Sequence, residues 1–183
     1  MRAAEQKSDR VLSEEDPYYI KSARTGMQLA GHIPDKGESV QLFKSILVPA
    51  DDGGIGDAFA MVEAELQKIP GCSRSEELKF HMLVDEIFTN IENYAYDEAP
   101  GEIFVSFSYD DADSKARLVF RDEGKEYDPT KEKLPDLSLP LRERHTGGMG
   151  ILMVRNTVDD LIYERRDGYN ILTLIKTIGG QNV

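Results

Sequence analysis

Glu86 and Asn90 stand four residues apart, a spacing that puts both side chains on one face of a helix, and Asn93 continues the same stripe. The stripe flanks an apolar face, so it lies at the boundary of core and solvent. A carboxylate there can accept a proton, and a carboxamide oxygen can hold Mg²⁺, which takes a few hard oxygens plus waters. Further on, Asp122-x-Gly124 closes a predicted strand. A buried Asp in that place can accept from the exocyclic amine of adenine, a contact that guanine does not offer, and the glycine permits close backbone approach. Thr146-Gly147-Gly148-Met149-Gly150 opens a predicted helix, where N–H groups and the helix dipole can face an anion. Arg142 and Arg144 lie just before these glycines, placed to meet terminal-phosphate charge. Each signal alone has an ordinary reading as well: a solvated helix face, an Asp/Gly turn, a glycine turn, loop charge. The glycines form neither a Walker loop, since no Gly-Lys-Ser/Thr follows, nor the dinucleotide fingerprint, since no parallel-sheet unit surrounds them.

The elements that must position these residues are readable in outline. Leu42 to Val48 reads as a strand stopped by Pro49. Asp51 or Asp52 caps a helix whose apolar spacing runs from Ala58 to Ile69 and which Pro70-Gly71 ends. A long helix is predicted from about Ser75 to Tyr96, with Phe80, Leu83, Val84, Ile87, Phe88 and Ile91 on one side. Two alternating runs, Ile103 to Tyr109 and Arg117 to Arg121, make a hairpin around Asp110–Ser114. Lys125 to Thr146 is charged and punctuated by Pro129, Pro135 and Pro140, a length of irregular chain typical of a functional lid or of disorder. A helix from Gly148 to about Asp159 precedes a second hairpin, Leu161–Arg166 with Asn170–Thr177, for which Asp167-Gly168 supplies the positive φ of a tight turn. Helices segregated from hairpins indicate an α+β, two-layer α/β sandwich with a mostly antiparallel sheet. The expected organisation is an N-terminal extension over 1–40, partly ordered or partner-docking, a compact domain over 41–178, and a short tail over 179–183.

Composition narrows the classes. At 183 residues one domain is the default. Lys+Arg 22 against Asp+Glu 34 leaves a net charge of −12, so no broad field attracts nucleic acid and bound phosphate must be held by local geometry. The single cysteine, Cys72, excludes an internal disulfide framework and fits a reducing cytoplasm. Neither a signal-peptide pattern nor an apolar run of bilayer length is present, so a cytoplasmic protein without a membrane anchor is expected. His32, His81 and Cys72 lack partners at ligand or catalytic spacing.

The order of the motifs, more than any one of them, resembles the Bergerat (GHKL) ATP-binding superfamily, and within it the anti-sigma regulatory serine/threonine kinases. Val84-Asp85-Glu86-Ile87-Phe88-Thr89-Asn90 looks like the N box. Phe120-Arg121-Asp122-Glu123-Gly124 and Tyr127-Asp128-Pro129 look like the first glycine box. Gly147-Gly148-Met149-Gly150-Ile151 through Asp167-Gly168 looks like the second box and the tail after it. The resemblance implies ATP and Mg²⁺ as cofactors. Asn90 would ligand the metal, and Glu86 would activate the attacking hydroxyl. Asp122 would take the adenine amine, with Thr173 of the neighbouring strand joining through water. Gly124, Gly147, Gly148, Met149, Gly150 and Asn93 would border the nucleotide, and Arg142 or Arg144 would meet the γ-phosphate under an ATP lid. Two departures stand out. Tyr94 replaces a His common four residues after the N-box Asn, which changes packing there. Lys125-Glu126 replaces a second glycine in the first box, which stiffens or charges the lid hinge.

The resemblance implies a regulatory kinase that sequesters a sigma factor, phosphorylates a small STAS-type antagonist protein, and pairs as a homodimer through the sheet side of the domain. A non-catalytic, ATP-dependent protein-binding switch is the alternative. The catalytic half of a histidine kinase fits less well, because no helical hairpin bears a phosphoacceptor His, and gyrase-type ATPases are larger.

Overall fold

The structure, a computed structural model, describes residues 40–97, 101–133, 135 and 148–179. The expected extension 1–40 lies almost wholly outside this range, as do Arg142, Arg144, His145, Thr146 and Gly147. Five strands, β1 (Val40–Pro49), β2 (Glu102–Asp110), β3 (Lys115–Asp122), β4 (Asp160–Arg166) and β5 (Tyr169–Thr177), form one sheet in the order β1-β2-β3-β5-β4, every pair antiparallel. Three helices, α1 (Asp52–Leu66), α2 (Arg74–Tyr94) and α3 (Met149–Thr157), complete the described elements together with a 3₁₀ turn at Pro129–Lys131. The α+β sandwich is therefore present, with the helices packed on one face of the sheet.

Local chemistry explains the helix starts. Asp51 caps α1, its Oδ1 accepting from Gly53 N at 2.9 Å and Gly54 N at 3.0 Å. Ser73 caps α2 by accepting from Glu76 N at 3.2 Å, with Glu76 and Glu77 in the first turn where the helix dipole favours acids. Both helices begin earlier than apolar periodicity alone indicates, because a cap precedes the first buried turn. At the second hairpin Asp167 (φ 51°) and Gly168 (φ 88°) both take the left-handed conformation, as a type I′ turn demands.

Alternation along the strands sets the layers. Val48, Ile103, Val105, Phe107, Leu118, Phe120, Leu172 and Leu174 face the helices and meet Phe80, Leu83, Val84, Ile87 and Phe88 of α2 in the core. Phe80 and Phe107 pack edge to face at 5.7 Å between centroids. Each fully buried side chain of this size contributes about 1.5–3 kcal/mol. An exposed helical ion pair such as Arg74–Glu77 (2.6 Å) contributes only about 0.3–0.5 kcal/mol. Apolar burial therefore joins the two layers. No described helix is long and apolar enough to cross a membrane.

β3 and β5 are neighbours in space although the 123–159 segment, α3 and β4 intervene in sequence. Asp122, at the end of β3, consequently sits opposite Asn170, at the start of β5.

Candidate functional site

A cleft opens between α2, α3 and the ends of β3 and β5, holding about 450 Å³ of open space with its mouth included. Asn90 and Tyr94 of α2, Asp122 of β3, Tyr127 of the following loop, and Asn170 and Leu172 of β5 line it.

At one end the geometry is a closed polar knot. Asp122 is only 5% exposed, and its Oδ1 accepts from Gly124 N at 2.8 Å and from Asn170 Nδ2 at 2.9 Å. Burial pushes its carboxyl above the usual aspartate range; the Asn170 and Gly124 donors and the charge of Arg165 offset that only in part. Asn170 is the hub. Its Nδ2 also donates to Lys125 O at 2.9 Å, while its Oδ1 accepts from the Tyr163 hydroxyl and Arg165 Nη1, each at 2.8 Å. Arg165 Nη1 reaches Gly124 O as well, at 3.1 Å. Gly124 lets this knot close on α2: a Cβ there would lie 2.4 Å from Ala95 Cβ and 2.8 Å from Ala95 O.

The position expected to be a stiffened hinge is pinned on three sides. Lys125 N donates to Ala95 O at 3.0 Å, its carbonyl accepts from Asn170, and its ammonium pairs with Asp97. Beyond it, the segment read as wholly irregular holds a 3₁₀ turn, capped by Asp128 and tied to α3 where Arg155 Nη2 donates to Pro129 O at 2.7 Å. Tyr96 fastens the C-terminal end of α2 to the sheet, donating to Glu102 O at 3.1 Å and accepting from Glu123 N at 3.3 Å. Burial, then the charge of Asp122, pushes its phenol up to about 12.

The other end is built by close approach. α3 begins at Gly148, whose φ of 71° is left-handed, and no side chain caps the helix. The N–H groups of a first helical turn have no intrahelical acceptors, so this end of α3 presents donors. Gly150, in that turn, lies against Glu86: a Cβ on it would stand 1.8 Å from Glu86 Oε2. Glu86 is partly buried there; burial, then the like charge of Asp85, raises its pKa. Asn90, one helical turn further along α2, borders the cleft.

The placement of the expected residues is uneven. Asn90 and Asp122 line the cleft, Gly124 closes against Asp122, and Gly150 lies against Glu86 next to the lining residue Ile151, whereas Gly148, the cap of α3, meets Lys133 and Pro135. Asn93 is exposed and absent from the cleft wall, and Met149 is 40% exposed at the first position of α3. Arg142, Arg144 and Gly147 lie outside the described residues. Thr173 is a correction: its register neighbours are Val119 and Ile162, which puts it on the sheet face opposite Asp122. Asn170 holds the place expected for Thr173, three residues earlier, because the side-chain alternation of β5 turns odd-numbered residues away from the cleft. Arg165 was also not anticipated, and Tyr127 and Tyr163 belonged to the glycine-box stretches without a role of their own. Asn170 alone carried a signal, as a polar residue starting a strand whose partner strand ends in Asp122.

Residues 48–176 match the family described as the histidine kinase-like ATPase domain. Over 103 residues, 55% of this chain and 71% of the relative, the chain is 33% identical to the serine/threonine-protein kinase BtrW of Bordetella bronchiseptica. Its fold matches the crystal structure of the RsbU and RsbW domains of Rv1364c from Mycobacterium tuberculosis with a TM-score of 0.53 at 16% identity, over 82% of this chain and 34% of that one. The chain thus spans about a third of the length of that solved protein. It belongs to the histidine kinase-like ATPase domain family, and is an ATP-binding, kinase-like member related to serine/threonine-protein kinases.

Proposed function

We propose that this protein is an ATP-dependent serine/threonine protein kinase of the anti-sigma type, which phosphorylates a small STAS-type antagonist and sequesters a sigma factor. The observation that carries the kinase reading is the contact of the Glu86 carboxylate with Gly150 at the uncapped start of α3. A proton acceptor beside the bare N–H groups of a helix start, with the buried Asp122 lining the neighbouring cleft, supports this reading.

In this reading Asp122 accepts from the adenine amine, and the first turn of α3 donates to the polyphosphate. The oxygen of a substrate Ser or Thr attacks the γ-phosphorus, the bond from that phosphorus to the ADP oxygen breaks, and the hydroxyl proton passes to Glu86. The raised pKa of Glu86 suits a base that must hold this proton. Mg²⁺ would offset phosphate charge beside the carboxylate. The Asn90 carboxamide, which borders the cleft, would hold it, and phosphate oxygens and waters would supply the rest.

The test mixes the protein and Mg-ATP with candidate STAS-type domains and follows ³²P incorporation on Ser or Thr. The expected result is incorporation that Glu86→Gln lowers by about 10²–10⁴-fold, the range of general-base contributions. No incorporation, or none lost in the variant, rejects the kinase. One observation favours a second reading, an ATP-dependent binding switch without turnover: Lys125 is pinned where a second hinge glycine is common. Tight Mg-ATP binding with no γ-phosphate loss in the presence of partners would support that switch.

A further inference from the structure

Both hydrogen bonds that reach the buried Asp122 carboxyl, from Gly124 N at 2.8 Å and Asn170 Nδ2 at 2.9 Å, fall on Oδ1. Among the described residues Oδ2 takes none, and Asp122 lines the cleft. A proton on this carboxyl would therefore sit on Oδ2, the oxygen left for a ligand. The two protonation states then offer the cleft opposite groups. The carboxylate presents an acceptor, which suits the amine of adenine. The acid presents an O–H donor, which suits the carbonyl that guanine carries at the same ring position. Burial favours the acid, so a reader of adenine needs a group that holds the carboxylate form.

Arg165 has the placement for that task. The register of β4 on β5 sets it directly opposite Asn170. From an exposed position its Nη1 donates to Asn170 Oδ1 at 2.8 Å and to Gly124 O at 3.1 Å. A guanidinium only donates, so Asn170 Oδ1 has to accept; Lys125 O only accepts, and it takes Asn170 Nδ2 at 2.9 Å. These two partners fix which way the amide points and leave Nδ2 to donate to Asp122. The Tyr163 hydroxyl, 2.8 Å from Asn170 Oδ1, suits an amide turned either way and sets no direction. The charge of Arg165 works in the same sense, drawing the Asp122 carboxyl down against the effect of burial. The other groups around Asp122 do not share the task. The Tyr96 phenol is pushed up to about 12 and that of Tyr163 is also raised, so both stay neutral. The Lys125 ammonium is paired with Asp97, and Glu123 is exposed and of like charge.

We propose that Arg165 is a positioning residue that determines nucleotide specificity: acting through Asn170, it keeps Asp122 an acceptor toward the cleft and so selects adenine over guanine nucleotides. The inference rests on the reading in which Asp122 meets the base, and it holds equally for a kinase and for a binding switch.

The experiment titrates Mg-ATP and Mg-GTP into the full chain and into its Arg165→Met and Arg165→Lys variants, by calorimetry over a range of pH. The parent should prefer ATP. In Arg165→Met the ratio of ATP to GTP affinity should fall about tenfold, the worth of one charge-assisted hydrogen bond. Acidification should lower that ratio further, beginning at a higher pH than in the parent, because the Asp122 carboxyl loses the charge that draws it down. Arg165→Lys keeps a cation that only donates and should hold the ratio within about threefold of the parent's. A residue that merely braced the loop would weaken both nucleotides together, leaving the ratio and its pH dependence as in the parent. That result overturns the proposal, as does a lysine variant no better than the methionine one. The parent alone separates the deeper failure: if it binds both nucleotides equally, or neither, the base-reading role of Asp122 falls and this inference falls with it.

Discussion

The two ends of the cleft are built by opposite means. The Asp122–Asn170 end is a network built on two buried side chains, with Asn170 bonding to Asp122, Lys125, Tyr163 and Arg165. The Glu86–Gly150 end is made by a missing side chain, a bare helix start and a partly buried carboxylate. A network of the first kind is rigid before any ligand arrives, as the proposed base discrimination requires. The second kind leaves donors and a proton acceptor free for a group in transit. The contrast implies that damage at one end should cost recognition and stability, whereas damage at the other should cost transfer.

The sharpest way to break that contrast is Gly150→Ala. The methyl group would meet the far end of the Glu86 side chain, which can swing away, so the fold should survive while the carboxylate is displaced. Phosphate incorporation should fall by about 10²-fold or more with a Tm close to the parent's, because a misplaced base forfeits most of its contribution. Scanning calorimetry beside the ³²P assay decides it; a large Tm loss would show that the transfer end is structural after all.

Next in size is Asn170→Leu. It leaves Asp122 with one donor and strands the Lys125 carbonyl and the Tyr163 hydroxyl, at about 2–4 kcal/mol. For a chain of this length that is a Tm drop of about 4–16 °C, accompanied by ATP affinity weakened at least tenfold in titration calorimetry.

Asp122→Asn separates charge from shape. The native carboxyl holds its proton more tightly than the unfolded one, so its contribution to stability is fully present below the ordinary value of 3.8 and is lost as pH rises through the higher native value. The Asn variant lacks that titration. Its Tm should gain on the parent's across this window and equal or exceed it at pH 7, while ATP binding weakens about tenfold because an amide donor would face the adenine amine. A parent-minus-variant difference that is flat with pH would show that the Asp122 charge carries no burial cost.

The smallest effect is expected of Thr173→Ala. From the outer face it should change ATP affinity less than twofold, in contrast to Asn170→Leu three residues away. Equal losses from the two would reverse the assignment of the faces.

These predictions also mark what could be read before the fold was known. The hairpins, the long α2 with its apolar side, the Asp51 cap and the Asp167-Gly168 turn follow from local chemistry and were legible residue by residue. Glu86 and Asn90 were legible because one helix carries both. Asn170 was not, and Thr173 was misplaced, for one reason: the pairing of β3 with β5 crosses a long intervening segment, and nothing local reports its register. The pinning of Lys125 was hidden in the same way, since Ala95 and Asn170 approach it from distant parts of the chain.

That long-range pairing carries one more consequence. The chain leaves the sheet at Asp122 and re-enters it at Asp160, whose register partner Ile175 stands opposite Arg117 near the other end of β3, so the excursion runs the length of the sheet between two anchored ends. The entropic penalty of such a detour grows only by about 0.6 kcal/mol for each doubling of its length. Evolution can therefore lengthen or trim the detour while the sheet beneath stays as it is.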